Sequence, residues 1–342
     1  MKKLLSPAFA KDSTRLVLSV ALTFVGLLLV TFLIGRVVPI DPLLAAVGDR
    51  APAEVYERVR VELGLDKPLW QQFWIYMVKV VQGDFGRSVL TSNVVLDDIL
   101  RVFPATLELA TLATLLGVSL GVPFGVIAAV NQGRWPDQLA RVIGLLGYSV
   151  PVFWLGLMGL LLFYAKLGWV AGPGRVSVAF DDYVTPITGV ILFDSAVQGE
   201  WEAFGDAFRH LILPAGVLGY FSLAYISRMT RSFMIEQLRQ EYIVTARVKG
   251  LSEARVIWRH ALGNVMVPLI TVIALSYGNL LEGTVLTETV FAWPGLGLYI
   301  TNSLLSADMN AVLGGTIMVG IVFIGINLLS DVLYRFVDPR AK

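Results

Sequence analysis

The stretch ATLELATLATLLGVSLGVPFGVIAAV, residues 105–130, carries a single ionisable side chain, Glu108, close to its start. A bilayer core about 30 Å thick needs roughly 20 helical residues at about 1.5 Å rise each. The run exceeds that length and reads as a membrane-spanning helix. LVLSVALTFVGLLLVTFLIG (16–35) passes the same test ahead of it. Behind it come LARVIGLLGYSVPVFWLGLMGLLLFY (139–164), LILPAGVLGYFSLAYISRM (211–229), VMVPLITVIALSYGNLLEGTVL (265–286) and AVLGGTIMVGIVFIGINLLS (311–330). Arg141, near one end of the third, can snorkel outward on its long stem. Composition agrees: 56% of the 342 residues are hydrophobic and 15% charged, against about 25% charged in soluble domains. The expected fold is an all-α membrane protein with six transmembrane helices. The first span follows Met-Lys-Lys, yet it is too long for a signal core and lacks a small-residue cleavage pattern, so it reads as a retained helix.

Several function classes fall away on composition. A net charge of +1 gives no basic excess for a nucleic-acid partner. The absence of cysteine removes disulfides, thiolate metal sites and cysteine nucleophiles. His210 and His260 stand too far apart for metal-ligand spacing.

Charge in the connecting regions sets the orientation. Segments 1–15, 131–141, 228–260 and 331–342 hold sixteen Lys and Arg against seven Asp and Glu. Segments 36–101, 165–210 and 287–310 are longer, yet hold eleven basic residues against seventeen acidic. The positive-inside rule therefore places both termini, and the 228–260 region, in the cytoplasm. Outside, APAEVYERVRVELGL (51–65) and PLWQQFWIYMVKVVQGDFG (68–86) show helix-compatible spacing and read as short helices on the outer face. The acidic 171–210 region, with Trp201, Phe204 and Phe208, has two readings: an ordered loop that touches another protein, or a solvated loop.

In the cytoplasmic region, MIEQLRQEYIVTARVKG (234–250) reads as a continuation of the fourth span. Leu238, Tyr242 and Ala246 form one stripe, and Gly250 ends the helix. Ser252 is then an N-cap with Glu253 in the first turn of a second helix, about 253–262, before Gly263 and Asn264 lead back. Arg228, Arg231 and Arg255 taken singly read as topology anchors. Small Ala246 and Gly250, with Leu251 and Ile257 carried into the cytoplasm, suit a helix that sits in another protein's groove.

These residues carry a resemblance. TARVKGL (245–251), followed by HALGN from His260 and then Pro268, is similar to the cytoplasmic loop of the dipeptide/oligopeptide/nickel family of bacterial ABC importers. The chain resembles that family's B-type permease from end to end, through LDKPLWQQF (65–73), GDFGRS (83–88), FPATLELA (103–110), SVPVFWLG (149–156), ETVFAWPGLG (288–297) and NLLSDVLYRFVDPR (327–340). Two positions depart. Val244 stands where the generic importer loop has glutamate, and PIDP (39–42) replaces the family's usual PGDP.

The resemblance implies a type I ABC importer permease fold in the bacterial inner membrane. It implies an N-terminal span plus outer helical segment (1–104), then a five-helix core (105–342) with a coupling loop at 236–263 and a periplasmic loop at 165–210. It implies a non-catalytic subunit that binds no cofactor itself. ATP and Mg would be held by two partner ABC ATPases, in keeping with a sequence that carries no G-x-x-x-x-G-K-[ST] phosphate loop. A homologous C-type permease would complete a heterodimer within membrane lipid, and a periplasmic or lipid-anchored binding protein would deliver di- or oligopeptides. Thr245, Ala246, Lys249, Gly250, Leu251, Glu253 and Ile257 would then couple to the ATPases.

Charge within the bilayer costs about 2.5–3.5 kcal/mol on insertion scales and usually faces a cavity or partner. Asn279 and Glu282, with Glu108, are therefore candidates for the translocation path. The other reading puts both glutamates near enough the interface to be wet. Prolines 104, 123, 151, 214 and 268 permit bends, either static or used in a change of shape. Nickel complexes, glutathione, opines and oligosaccharides are alternative cargoes within the family. A secondary transporter would favour inverted repeats and buried relays that this sequence does not display. An intramembrane enzyme would need an embedded catalytic pair, and GYSVP (147–151) is no nucleophile elbow.

Overall fold

The computed structural model describes residues 7–37, 52–62 and 65–337, so the PIDP turn lies outside it. In chain order the helices are α1 (Pro7–Val37), α2 (Ala53–Glu62), α3 (Leu69–Val81), α4 (Val95–Val130), α5 (Trp135–Ser149) and α6 (Val152–Gly159), the last prolonged by π turns at Leu160–Lys166. Then come α7 (Ile191–Gln198), α8 (Trp201–Leu238), α9 (Glu241–Val248), α10 (Glu253–Arg255), π turns at Val256–Ala261, α11 (Leu262–Val290), α12 (Leu296–Leu305) and α13 (Met309–Val337). The extended pairing among the described residues is an antiparallel bridge between Arg87 and Val94.

Among the described residues, five helical stretches are long and apolar enough to cross a membrane: those containing α1, α4, α8, α11 and α13. The third expected span is broken. Helices α5 and α6 pass the length test only together, and they bend by 101°. The cause is local. Val150 precedes Pro151 and sits in extended conformation at φ −95°, ψ 126°, where proline's ring drives its predecessor. Counted as one broken span, the pair makes the sixth. The other four prolines singled out in the sequence lie inside α4, α8 and α11.

The chain divides into two compact units, one of residues 1–101 with 299–324, the other of 102–298 with 325–342. Residues 299–324, most of α12 and the first half of α13, cluster with the N-terminal part. Within the first unit, Leu28, Val80 and Ile317 form a core, and Phe32 meets Phe73 edge-on at 5.4 Å. Asp308 accepts from the Ser88 hydroxyl at 2.6 Å and from the Leu90 amide at 3.1 Å.

Within the second unit, α4 and α8 approach backbone to backbone. Gly117, Gly121 and Gly125 repeat every fourth residue along α4, opposite Ser222, Leu223 and Ser227. A Cβ at Gly125 would come within 2.6 Å of the Ser227 carbonyl. Inside a membrane such small-residue stripes drive helix association, because lipid supplies no hydrophobic force between helices.

Candidate functional site

The cytoplasmic region folds as a capped hairpin. Its first helix is interrupted: α8 stops at Leu238, Gln240 is extended, and α9 restarts at Glu241. A straight run to Gly250 was the sequence expectation. The break turns Ile243 and Ala246 into a cluster with Met234, Val256, Val265 and Leu269, and the Tyr242 hydroxyl donates to Gln237 across it at 2.9 Å. Burial of that apolar stripe outweighs the helical bonds lost.

Helix α9 ends in a Schellman motif. The Gly250 amide donates to the Arg247 carbonyl at 2.9 Å, and the Leu251 amide to that of Ala246 at 3.3 Å. Gly250 takes φ +76°, the left-handed conformation this cap requires. Leu251 packs back on the cluster that holds Ala246, which is the apolar contact that accompanies the motif. Ser252 does occupy the N-cap position of α10, but its hydroxyl makes no capping bond. Arg247 instead bridges the turn, gripping Glu253 through Nε at 2.8 Å and Nη2 at 3.2 Å. No short helix followed by a break at Gly263 exists. From Glu253 the helix runs through the π turns into α11 without interruption.

The candidate coupling residues therefore divide. Ala246 is buried, and Leu251 and Ile257 pack partly against the same core. Thr245, Lys249, Gly250 and Glu253 face outward. Sequence reasoning missed the apolar surface beside them: Val248 is 82% exposed, Val244 56% and Trp258 46%. Val244 and Val248, four apart, were readable as a second stripe of α9. Lys249, Arg255 and Arg259 also face outward.

Nearby, Asp137 is fully buried and collects hydrogen bonds from Arg231 (Nε, and Nη2 at 2.9 Å), Arg141 (3.0 Å) and the Gly133 amide (2.9 Å). Arg231 thus ties α8 to the start of α5, beyond any anchoring of topology. Arg228 lies 4.4 Å above the Tyr148 ring.

At the outer ends of α4 and α11, two pieces of the family pattern that are far apart in sequence meet. Glu288 is fully buried; it accepts from the Thr106 hydroxyl at 2.7 Å and the Leu298 amide at 3.0 Å. The Leu296 amide donates to Thr106 at 2.7 Å, and the buried Trp293 indole donates to the Ala105 carbonyl at 2.9 Å. Glu108 is buried in this structure. Its side chain is 1% exposed and paired with Arg175 at 2.6 Å, and the Leu192 amide adds a bond at 3.0 Å. Arg175 also donates to the Gly189 carbonyl at 2.7 Å and stands 5.7 Å from the Trp293 ring. The glutamate clamps the periplasmic loop onto α4.

That loop is ordered from within. Asp194 accepts from the Ile187, Thr188 and Gly189 amides and from the Thr188 hydroxyl, at 2.7–3.1 Å. Burial acts to raise its pKa, but these bonds outweigh burial and hold the carboxyl below the usual carboxylate range. Asp206 accepts from the Ser177 amide and hydroxyl, both at 2.6 Å. Asp181, Asp182 and Glu202 face outward instead. Asn279 is exposed on α11, along with Leu275 and Leu286. Glu282 lies on the same helix, but its side chain is outside the described residues. Among the described residues no group of three His, Asp or Glu could hold a metal ion.

The family profile described as binding-protein-dependent transport system inner membrane component matches residues 121–342, and the N-terminal profile of that system matches 13–110. The chain belongs to that family. It is a multi-pass inner-membrane transport subunit, and membership implies an assembly with ATPase and substrate-binding proteins. The dipeptide transport system permease protein DppB of Escherichia coli (strain K12) is 45% identical over 324 residues, 94% of this chain and 95% of that one. The di/tripeptide transport system permease protein DppB of Pseudomonas aeruginosa (strain UCBPP-PA14) is 43% identical, covering 94% and 95%. The probable D,D-dipeptide transport system permease protein DdpB of Escherichia coli (strain K12) is 42% identical, covering 93% and 94%. Among solved structures, the inward-facing MetNI methionine ABC transporter aligns with TM-score 0.52 and 18% identity, over 70% of this chain and 96% of that one. At that identity the likeness speaks for the fold.

Proposed function

We propose that this chain is the B-type permease of an importer that moves di- or oligopeptides inward at the expense of ATP hydrolysed by partner subunits. The substrate class rests on the named activities of relatives that match nearly the whole chain. The coupling role rests on one observation. The hairpin exposes Val244, Val248 and Trp258 beside the outward-facing Lys249 and Arg255, while its other face packs into the buried core. An apolar surface with a cationic rim on a rigid mount suits a groove in an ATPase. A homologous C-type permease would supply the other half of the pore, and each permease would receive one ATPase carrying ATP and Mg. A periplasmic or lipid-anchored binding protein would bring the peptide. ATP binding would draw the two hairpins together and favour the outward-facing state; hydrolysis would restore the inward-facing one.

The test uses the assembled complex in proteoliposomes. Val248→Asp places a charge on the exposed face without touching the core. Binding-protein-stimulated ATPase activity and dipeptide uptake should both fall by roughly tenfold, the effect of about 1.4 kcal/mol, with the complex still folded. Unchanged stimulation would remove the hairpin from coupling. Uptake of nickel complexes with no uptake of peptides would reassign the substrate.

A further inference from the structure

The first unit encloses a cavity of about 660 Å³, within the roughly 300–1,000 Å³ typical of small-molecule sites. Its walls are Phe32, Ile75, Leu313 and Ile317, contributed by α1, α3 and α13. Its polar lining includes Lys79, Arg87, Gln72 and Asp84.

Depth comes from the helices. Phe32 and Gly35 close the apolar window of α1, which ends at Gly35. Ile317 lies eight residues into α13, about 12 Å at 1.5 Å per residue. The cavity therefore starts at the outer membrane–water interface and reaches into the depth of acyl chains. Trp70 and Trp74 are exposed on α3, as suits a helix at headgroup level.

The polar lining is unfinished. Lys79 has no ion-pair partner among the described residues, and Arg87 donates to the Ser92 carbonyl at 3.3 Å. Gln72 spends its amide nitrogen on the Lys67 carbonyl at 2.7 Å, while its buried Oε1 has no partner. A buried acceptor without a donor is costly and asks for a hydroxyl. Asp84 accepts from the Gly86 amide at 3.0 Å and is exposed, so its charge is largely hydrated.

We propose that this cavity binds one anionic glycerophospholipid of the surrounding bilayer, with an acyl chain against Phe32, Ile75, Leu313 and Ile317, its phosphate between Lys79 and Arg87, and a headgroup hydroxyl on Gln72. Basic pockets beside membrane spans select anionic headgroups in this way. A zwitterionic lipid would bring its own cation to the two basic side chains and lose that advantage.

Native mass spectrometry of the complete importer, released from nanodiscs holding equal phosphatidylglycerol and phosphatidylethanolamine, reads the occupant directly. Phosphatidylglycerol should be retained preferentially. Lys79→Glu with Arg87→Glu should cut that retention at least about thirtyfold, as loss of two basic groups near a phosphate at about 1 kcal/mol each predicts, and leave phosphatidylethanolamine unchanged. Should the reversal fail to assemble, Lys79→Gln with Arg87→Gln reads the same quantity. Ile75→Trp, which fills the apolar part, should lower retention with the charges intact. Equal retention of both lipids by the parent, or unchanged phosphatidylglycerol in the charge variants, overturns the proposal. Displacement by soluble glycerol phosphate also overturns it, because the site would then serve a headgroup without a chain.

Discussion

The cytoplasmic hairpin and the outer network of Glu108, Arg175, Trp293 and Glu288 solve the same problem in opposite ways. Both hold non-membrane chain rigidly against a bundle of spans. The hairpin does so with backbone caps and an apolar underside, and turns its charges to solvent. The outer network buries its ion pair, Arg175 and Glu108 being 15% and 1% exposed, and satisfies Glu288 with the Thr106 hydroxyl and the Leu298 amide. Exposed charge remains available to a partner. Buried charge has been used up in holding the loop.

That contrast can be broken most forcefully on the outer side. Arg175→Ala leaves Glu108 buried and unpaired, a change that costs about 3–5 kcal/mol in comparable pairs. Thermal unfolding of the purified complex should shift markedly, and limited proteolysis should open the 171–200 segment first. An unchanged unfolding temperature would mean that the pair is not holding the loop.

On the cytoplasmic side the effects are smaller. Gly250→Val forces a β-branched residue into φ +76°, at about 1–2 kcal/mol. The open space around Gly250 means that strain alone is being read. Stimulated ATPase activity should fall more than stability does, and equal losses would deny the cap a role in coupling. Acid treatment sharpens the comparison further. Because the folded Asp194 pKa lies below its unfolded value near 3.9, its contribution is present above that value and is lost as pH falls through the folded one. Hydrogen exchange at Thr188 and Gly189 should therefore rise as pH is lowered from 5 to about 3, after correction for intrinsic rates, while the Gly250 amide stays protected. The smallest effect belongs to Arg247→Ala, since exposed pairs contribute about 0–1 kcal/mol. Stability should hardly move, and a large drop would show that the Arg247–Glu253 bridge is more than a surface contact.

Much of this was legible in the sequence where the physics is local. Apolar length announces spans, and Gly250 announces a left-handed cap. Even the stripe of Leu238, Tyr242 and Ala246 was visible, but periodicity gives a face without saying what that face meets. Ala246 turned out to meet its own core. Pro151 was among the prolines read as permitting a bend, but hydropathy averaged over 139–164 is blind to direction and could not show that the turn is 101°. Partners distant along the chain were beyond reach: nothing near Glu108 points to Arg175, 67 positions away, and nothing near Thr106 points to Glu288, 182 positions away. The quoted fragments FPATLELA and ETVFAWPGLG looked like independent signatures. They are two halves of one joint.

The unbroken helix from Glu253 to Val290 has a last consequence. Glu253 forms part of the exposed hairpin, and Glu288 lies in the outer network, thirty-five residues further along the same helix. At about 1.5 Å per residue the helix path between them is about 52 Å long. The two regions are opposite ends of one continuous helix, so the cytoplasmic hairpin and the joint around Trp293 and Thr106 share a single piece of secondary structure.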